Sequence, residues 1–341
     1  MLIRNCWYVA GWSHQFEADK PTQRMLLGEP VVIWRTQEGA VVAMEDRCVH
    51  RLAPLSLGRV EGSAIRCLYH GLLFDADGRC REIPGQDTIP GSACVRTYPA
   101  VERNNWIWVW MGDPDRADPS RIAPSKALDD PAWVLKTGEL HYRAHYSLIN
   151  DNLLDLTHLA YVHATSFGAD EAWSRNRPRV EPIAEGVRSS RWIVDTPPTP
   201  PLGKAAEHER VDIWTSYDFV LPGVFLLYSA LFPTGSAEAF GYDAPPAEAP
   251  SLFANFTSQA VTPTSESTTS YYFSWGPAAE HGGEAMAQAM IDVAIMAFNE
   301  DKTMIEAQQR IIDTDPGRRV MPTSADKAIT LFTRLMQSQD G

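Results

Sequence analysis

The chain has 341 residues, 44% of them apolar and 21% charged, and its 30 basic against 43 acidic side chains give a net charge of −13. That length fits two domains, each able to bury its own core. The acidic balance argues against nucleic acid or an anionic membrane as the main partner. No stretch approaches the roughly 20 apolar residues of a membrane helix. The opening MLIRNCWYVAGW lacks the apolar run and small-residue cleavage site of a secretory signal, so a cytoplasmic location is expected.

Residues 1–115 read as an all-β domain. Short β-branched or aromatic runs at 30–35, 40–44 and 106–110 alternate with turn signals at 37–39, 75–78 and 111–114. Residues 114–131, rich in Asp, Pro, Ser and Ala, read as the crossover into a second domain, taken as 116–341. That domain opens with a strand-like stretch from Glu139 to Ser147 and a helical one from Ile149 to His163. Residues 180–275 are mostly strand-like and broken by Pro and Gly. Two helices close the chain, Glu284 to about Ile312 and Ser324 to Gln337, the second with Thr323 or Ser324 as its cap. The fold class is therefore α+β, an all-β domain followed by an antiparallel sheet flanked by helices.

Five cysteines in a chain without a leader do not suggest a disulfide framework. Two of them sit in short motifs, Cys48-Val49-His50-Arg51 and Cys67-Leu68-Tyr69-His70-Gly71, with sixteen residues between His50 and Cys67. Each motif offers one thiolate and one imidazole. Four such ligands suit a tetrahedral zinc, or a 2Fe–2S cluster with two Cys on one iron and two His on the other. The asymmetric pair Cys-x-His and Cys-x-x-His favours two loops closing over a dinuclear cluster. The motif resembles the Rieske pattern. Cys6 and Cys94 read as core thiols, and Cys80 is given no role.

A second constellation follows in Asn152-Leu-Leu-Asp155-Leu-Thr-His158-Leu-Ala-Tyr-Val-His163. In a continuous helix Asn152, Asp155 and His158 share a face. His163 joins His158 at one metal only if the helix breaks or tightens, as it could near Ala160. A carboxylate from elsewhere would complete a 2-His-1-carboxylate facial triad for non-haem iron. The late helix offers Glu300 and Asp301, with Asp292 further upstream, and Asp301 is taken. His141 and His145, four apart on the strand-like run, read as structural histidines.

This second constellation, about 90 residues after a Rieske motif, resembles the Rieske non-haem iron oxygenases, the terminal components of aromatic oxygenase systems. Asn152 to His158 and the opening Arg4-Asn5-Cys6-Trp7-Tyr8-Val9-Ala10 are most similar to the vanillate and dicamba O-demethylase branch. The resemblance covers nearly the whole chain. It implies a helix-grip-like catalytic domain. It implies that Cys48, His50, Cys67 and His70 hold the cluster and that His158, His163 and Asp301 hold a mononuclear Fe(II). Asp155 would bridge the two centres across a subunit boundary, from His70 of one copy to His158 of the next in a head-to-tail homotrimer. Asn152 either lines the iron site or bonds locally.

The implied reaction uses O2, most often to hydroxylate an O-methyl group, whose hemiacetal collapses to a phenol and formaldehyde. Ring hydroxylation or N-dealkylation is the alternative. The chain has no Gly-x-Gly-x-x-Gly fingerprint, so NAD(P)H would act through a separate reductase, with or without a ferredoxin. Leu226, Leu227, Phe232, Phe256, Ile295 and Phe298 are candidates to line the substrate cavity. Leu227 and Gln259 fall where the dicamba branch offers Asn and His, which disfavours a dicamba-like substrate.

Overall fold

The computed structural model describes residues 2–164, 166–167, 172–199 and 207–339. Two compact units emerge, Met1–Ile122 with Thr262–Ser267, and Ala123–Val261 with Thr268–Gly341. The segment expected as a crossover is tied to the first unit at its start. Two one-turn 3-10 helices, Pro114–Arg116 and Pro119–Arg121, are capped by the side chains of Asp113 and Asp118. The Trp7 indole donates to the Asp118 carbonyl at 2.8 Å.

The first unit is all β. Its strands are β1 (Cys6–Trp12), β2 (Thr22–Leu26), β3 (Glu29–Arg35), β4 (Val41–Glu45), β5 (Arg59–Glu61), β6 (Ala64–Arg66), β7 (Leu73–Phe74), β8 (Cys80–Glu82), β9 (Thr97–Tyr98), β10 (Ala100–Arg103) and β11 (Trp106–Met111). They form three antiparallel sheets, ordered β1-β11-β10, β2-β3-β4-β9 and β5-β6-β7-β8. Trp106, Trp108 and Trp110 on β11 are at most 1% exposed, as are the intervening Ile107 and Val109, so this strand is covered on both faces.

The second unit is built on one seven-stranded antiparallel sheet. Its strands are β12 (Lys136–Tyr142), β13 (Arg179–Ile183), β14 (Gly186–Thr196), β15 (Val211–Val220), β16 (Val224–Pro233), β17 (Phe253–Pro263) and β18 (Thr269–Pro277), in the order β12-β18-β17-β16-β15-β14-β13. The long helix Glu284–Ile312 packs on β12 and β18. Its buried side chains Ala287, Ile291, Ala294, Phe298, Asp301 and Ile305 recur at helical spacing, and Phe298 sets its ring against Tyr271 and Phe273. The last helix, Lys327–Gln337, has Asp326 rather than Thr323 or Ser324 at its N-cap, and the Asp326 carboxylate accepts from the Thr323 N–H at 2.7 Å.

Between β12 and β13 the chain departs from the sequence expectation. The strand ends at Tyr142, and a helix already begins at Tyr146, where the His145 side chain caps Ser147 N–H. That helix stops at Leu154. Asp155 is extended (φ −122°, ψ 94°), Leu156–His158 make a 3-10 turn, and Leu159–Val162 a short helix. The break lies at Asp155, five residues before Ala160.

Candidate metal centres and substrate cavity

The two Cys/His loops share one backbone plan. The Cys48 N–H donates to the Ala53 carbonyl and the Leu52 N–H to the Cys48 carbonyl, both at 2.8 Å. In the second loop Cys67 N–H donates to Leu72 O and Gly71 N–H to Cys67 O, at 2.9 and 3.0 Å. Each loop turns through positive φ four residues after its cysteine, at Leu52 (58°) and Gly71 (78°). At Gly71 a Cβ would lie 2.8 Å from the Pro84 side chain, so only glycine fits there without displacement.

Both cysteines are 1% exposed, whereas His50 and His70 lie at the surface with ring centroids 4.4 Å apart. Burial first, with Cys67 adding to it, pushes the Cys48 thiol up to about 11. Two buried sulfurs lie side by side, and two imidazoles supply the outer half of the set. This donor chemistry suits a cluster with one buried and one exposed iron. Cys80 packs in the same apolar core as Cys48 and Cys67. Cys6 is buried, but Cys94 is exposed and not the core thiol expected.

In the second unit three side chains converge. His158 Nε2, His163 Nε2 and Asp301 Oδ1 lie within 4.8 Å of one another, with Asp301 Oδ1 at 3.7 Å from His158 and 3.2 Å from His163. The break at Asp155 makes this possible. His158 closes the 3-10 turn and His163 leaves the following helix (φ −106°, ψ 27°), so their rings approach to 5.3 Å.

Each imidazole is oriented from behind. His158 Nδ1 meets the Asp155 carbonyl at 2.7 Å, and His163 Nδ1 meets Glu300 Oε2 at 2.8 Å. A carbonyl only accepts, so His158 carries its proton on Nδ1 and turns the Nε2 lone pair inward. A carboxylate imposes the same tautomer on His163. Ser166 Oγ donates to the same Glu300 oxygen at 2.7 Å. Burial lowers the pKa of His158. Burial also opposes protonation of His163, but the carboxylates of Asp301 and Glu300 outweigh it and raise its pKa. Two inward imidazole nitrogens and one buried carboxylate oxygen are a three-donor set that leaves positions open on a metal ion, the arrangement suited to non-haem iron.

Asn152 contributes its amide, donating from Nδ2 to Asp301 Oδ1 at 3.1 Å. The Asp155 side chain does not share a regular helical face with His158. One of its oxygens caps the 3-10 turn at Thr157 N–H (2.9 Å), and Asp155 also lines a separate cavity with Arg191 and Tyr217. Asp292 is exposed and accepts from Gln288, away from this cluster. His141 bonds Ser270, in keeping with a structural role.

Beside the three donors is a cavity of about 150 Å3, the size of an engineered apolar cavity that accepts benzene. The sheet lines it by alternation. Phe225, Leu227, Ser229 and Leu231 on β16 face it, as do Phe253, Asn255, Thr257 and Gln259 on β17. The strand register pairs these residues directly across, Leu227 with Thr257 and Ser229 with Asn255. Leu153, Leu156, Leu159, Phe167 and Trp173 close it from the helical side, with Trp275 from β18.

Of the candidate lining residues, Leu227, Gln259 and Phe298 are in the wall. Leu226, Phe232, Phe256 and Ile295 are not. Phe232 packs with Trp192 and Trp214, and Phe256 sets its ring 5.5 Å from Trp133, both on the opposite face of the sheet. Leu226 has the same parity on β16 as Phe232, and Ile295 is 39% exposed on the long helix. Glu300, set aside in the sequence as the neighbour of Asp301, is the residue that holds His163.

Comparison with known proteins agrees with this architecture. A family model described as the Rieske [2Fe-2S] domain matches residues 6–99, and one described as the vanillate O-demethylase oxygenase C-terminal domain matches residues 142–339. The chain is 41% identical to the toluene-4-sulfonate monooxygenase system iron-sulfur subunit of Comamonas testosteroni, covering 100% of this chain and 99% of the relative. It is 36% identical to a vanillate O-demethylase oxygenase subunit of a Pseudomonas species, covering 96% and 91%. The crystal structure of dicamba monooxygenase bound to dicamba superposes with a TM-score of 0.85 at 30% identity, over 99% of this chain and 97% of that one. The chain belongs to the Rieske non-haem iron oxygenases, in the branch of the vanillate and dicamba O-demethylase oxygenase components.

Proposed function

We propose that this terminal oxygenase oxidises an alkyl substituent of a small aromatic substrate, with O-demethylation of a methoxy-aromatic as the leading reaction. The observation that carries this is the three-donor set His158, His163 and Asp301 opening onto a cavity sized for one aromatic ring. Bound there, a non-haem iron supplies O2 activation and insertion of one oxygen atom into a C–H bond, using electrons delivered by the 2Fe–2S cluster. The apolar wall holds the ring and excludes water. Asp155 O and Glu300 hold the two histidines in the tautomer that binds metal. Cys48, His50, Cys67 and His70 would hold the cluster.

The balance is one aromatic methyl ether, O2, NAD(P)H and a proton going to a phenol, formaldehyde, water and NAD(P)+. The reduced nicotinamide is consumed by a separate reductase, directly or through a ferredoxin. A second reading, hydroxylation of an aryl C-methyl group, is favoured by the 41% identity to the toluene-4-sulfonate monooxygenase subunit. N-dealkylation and ring hydroxylation are the further alternatives.

The proposed assembly is a head-to-tail homotrimer in the cytoplasm, with His70 of one copy meeting Asp155 of the next. Its support is the collar around the cluster loops, where Leu52, Leu57, Leu68 and Tyr69 are 57–71% exposed. No helix among the described residues is long and apolar enough to cross a membrane.

The test is turnover by the iron-loaded protein with a surrogate reductase, NADH and O2 on vanillate, an N-methylaniline and toluene-4-sulfonate. Formaldehyde or a benzylic alcohol supports oxidation of the substituent. Ring-hydroxylated products alone would overturn it.

A further inference from the structure

The sheet face that carries the substrate cavity holds a second cavity, of about 440 Å3. Ser189 and Arg191 on β14 pair directly across from Tyr217 and Thr215 on β15, and all four line it. Leu156 and Thr215 line both cavities, so the two share a wall. The described lining residues of the second include three cations, Arg177, Arg191 and Lys327, against one carboxylate, Asp155. In a chain with a net charge of −13 this is a local reversal of sign.

Arg191 is 7% exposed, and burial lowers its pKa, with Tyr217 and Asp155 opposing this only in part. Its Nη1 donates to the Trp173 and Asn176 carbonyls at 2.9 and 3.0 Å. Its Nη2 is buried without an acceptor, and no carboxylate among the described residues forms an ion pair with it. A buried guanidinium in this state is costly unless something supplies negative charge and lone pairs.

The opposite wall offers a second set of donors. The helix Lys327–Gln337 starts there, with Lys327 and Ala328 in the wall. Its N-cap residue, Asp326, turns its carboxylate back to the N–H and hydroxyl of Thr323, so no side chain caps the first turn. That leaves open N–H groups and the positive end of the helix dipole at the cavity. Arg177 and Lys327 are exposed and have no carboxylate partner among the described residues.

We propose that this second cavity binds a small tetrahedral oxyanion of the sulfate or phosphate class. The Arg191 guanidinium holds it from the buried side, and Lys327, Arg177 and the first turn of the last helix hold it from the exposed side. The anion lies against residues 154–157, immediately before His158, and outside the substrate cavity. It thereby sets a charge beside the segment that delivers an iron ligand.

Equilibrium dialysis of radiolabelled sulfate and phosphate against the iron-loaded protein, at ionic strength held constant with chloride, tests this. One saturable site per chain is expected for at least one of the two anions. Arg191→Met keeps the apolar stem and removes the charge, and affinity should fall by about tenfold or more. Arg191→Lys should restore part of it. Lys327→Met, an exposed change, should weaken binding by about two- to fivefold, and it serves if the Arg191 variants do not fold. Absence of a saturable site overturns the proposal. A site indifferent to both Arg191→Met and Lys327→Met also overturns it, since the anion then sits elsewhere, as on the iron. Binding that appears only after dilution to single chains means that an acidic side chain of a neighbouring copy fills the cavity, and it overturns the free-anion assignment as well.

Discussion

Asp301 and Glu300 are neighbours with different tasks. Asp301 turns Oδ1 toward the two Nε2 atoms, while Glu300 reaches behind His163 and accepts a hydrogen bond from its Nδ1–H. Asp301→Ala is expected to keep the cluster but lose the mononuclear metal and turnover, as metal analysis of the variant will show. An unchanged mononuclear iron content would remove Asp301 from the ligand set. Glu300→Ala leaves the three donors in place but frees the His163 ring. Its iron affinity should fall by about 10–100-fold, measured by chelator competition, with cluster absorbance unaltered. Asp155→Asn should retain both metals and slow the single-turnover transfer of electrons to the iron site.

The sequence held a stronger signal for Asp301 than helix-surface statistics suggest. Residue 301 continues the series 287, 291, 294, 298, 305, so a carboxylate stands in an apolar stripe where it needs a partner. Glu300 gave no such signal, because its role depends on where His163 is delivered by a chain break. That break was misplaced in the sequence reading, since Asp155 is compatible with a helix as well as with a cap.

The strand is the element that decides which side chains see substrate. On β16 and β17 the cavity takes Leu227, Ser229, Asn255, Thr257 and Gln259, while Phe232 and Phe256 turn to the other face. Leu227→Ala should enlarge the cavity and admit bulkier substrates at modest cost in stability. Phe256→Ala should cost about 3 kcal/mol or more in unfolding free energy and leave substrate size selection unchanged. If Phe256→Ala shifts the substrate profile and Leu227→Ala does not, the parity is wrong. This parity was hidden in the sequence for a physical reason. All eleven residues of β17 are buried, so both faces are covered and no polar–apolar alternation marks the inner one.

The helix Tyr146–Leu154 carries a different prediction. Burial first, and Asp326 second, lift the Asp151 carboxyl to about 6. A folded-state pKa above the unfolded value means the folded chain keeps a proton that the unfolded chain sheds. Stability is therefore lost as pH rises from about 4 to about 6, and the full penalty remains above that window. Asp151→Asn should raise the unfolding free energy at pH 7.5 by roughly 1–3 kcal/mol and leave it unchanged near pH 4. Thermal melts at the two pH values decide this, and an equal gain at both would show that the effect is packing.

Across the whole molecule the chemistry is divided between two units with separate construction rules. The cluster loops of the first were legible because thiolate and imidazole spacing is a local property, expressed in two loops with the same backbone plan. The catalytic unit assembles its donors from a broken helix near residue 158 and a helix near residue 301, so only the histidine pair was local. The most direct test of the account is anaerobic iron analysis of the purified protein together with the EPR spectrum after dithionite reduction. About three irons per chain, two in a reduced cluster with mixed His and Cys ligation and one mononuclear, is the predicted result. Zinc with no cluster signal, or two irons with the mononuclear site unable to load, would contradict it.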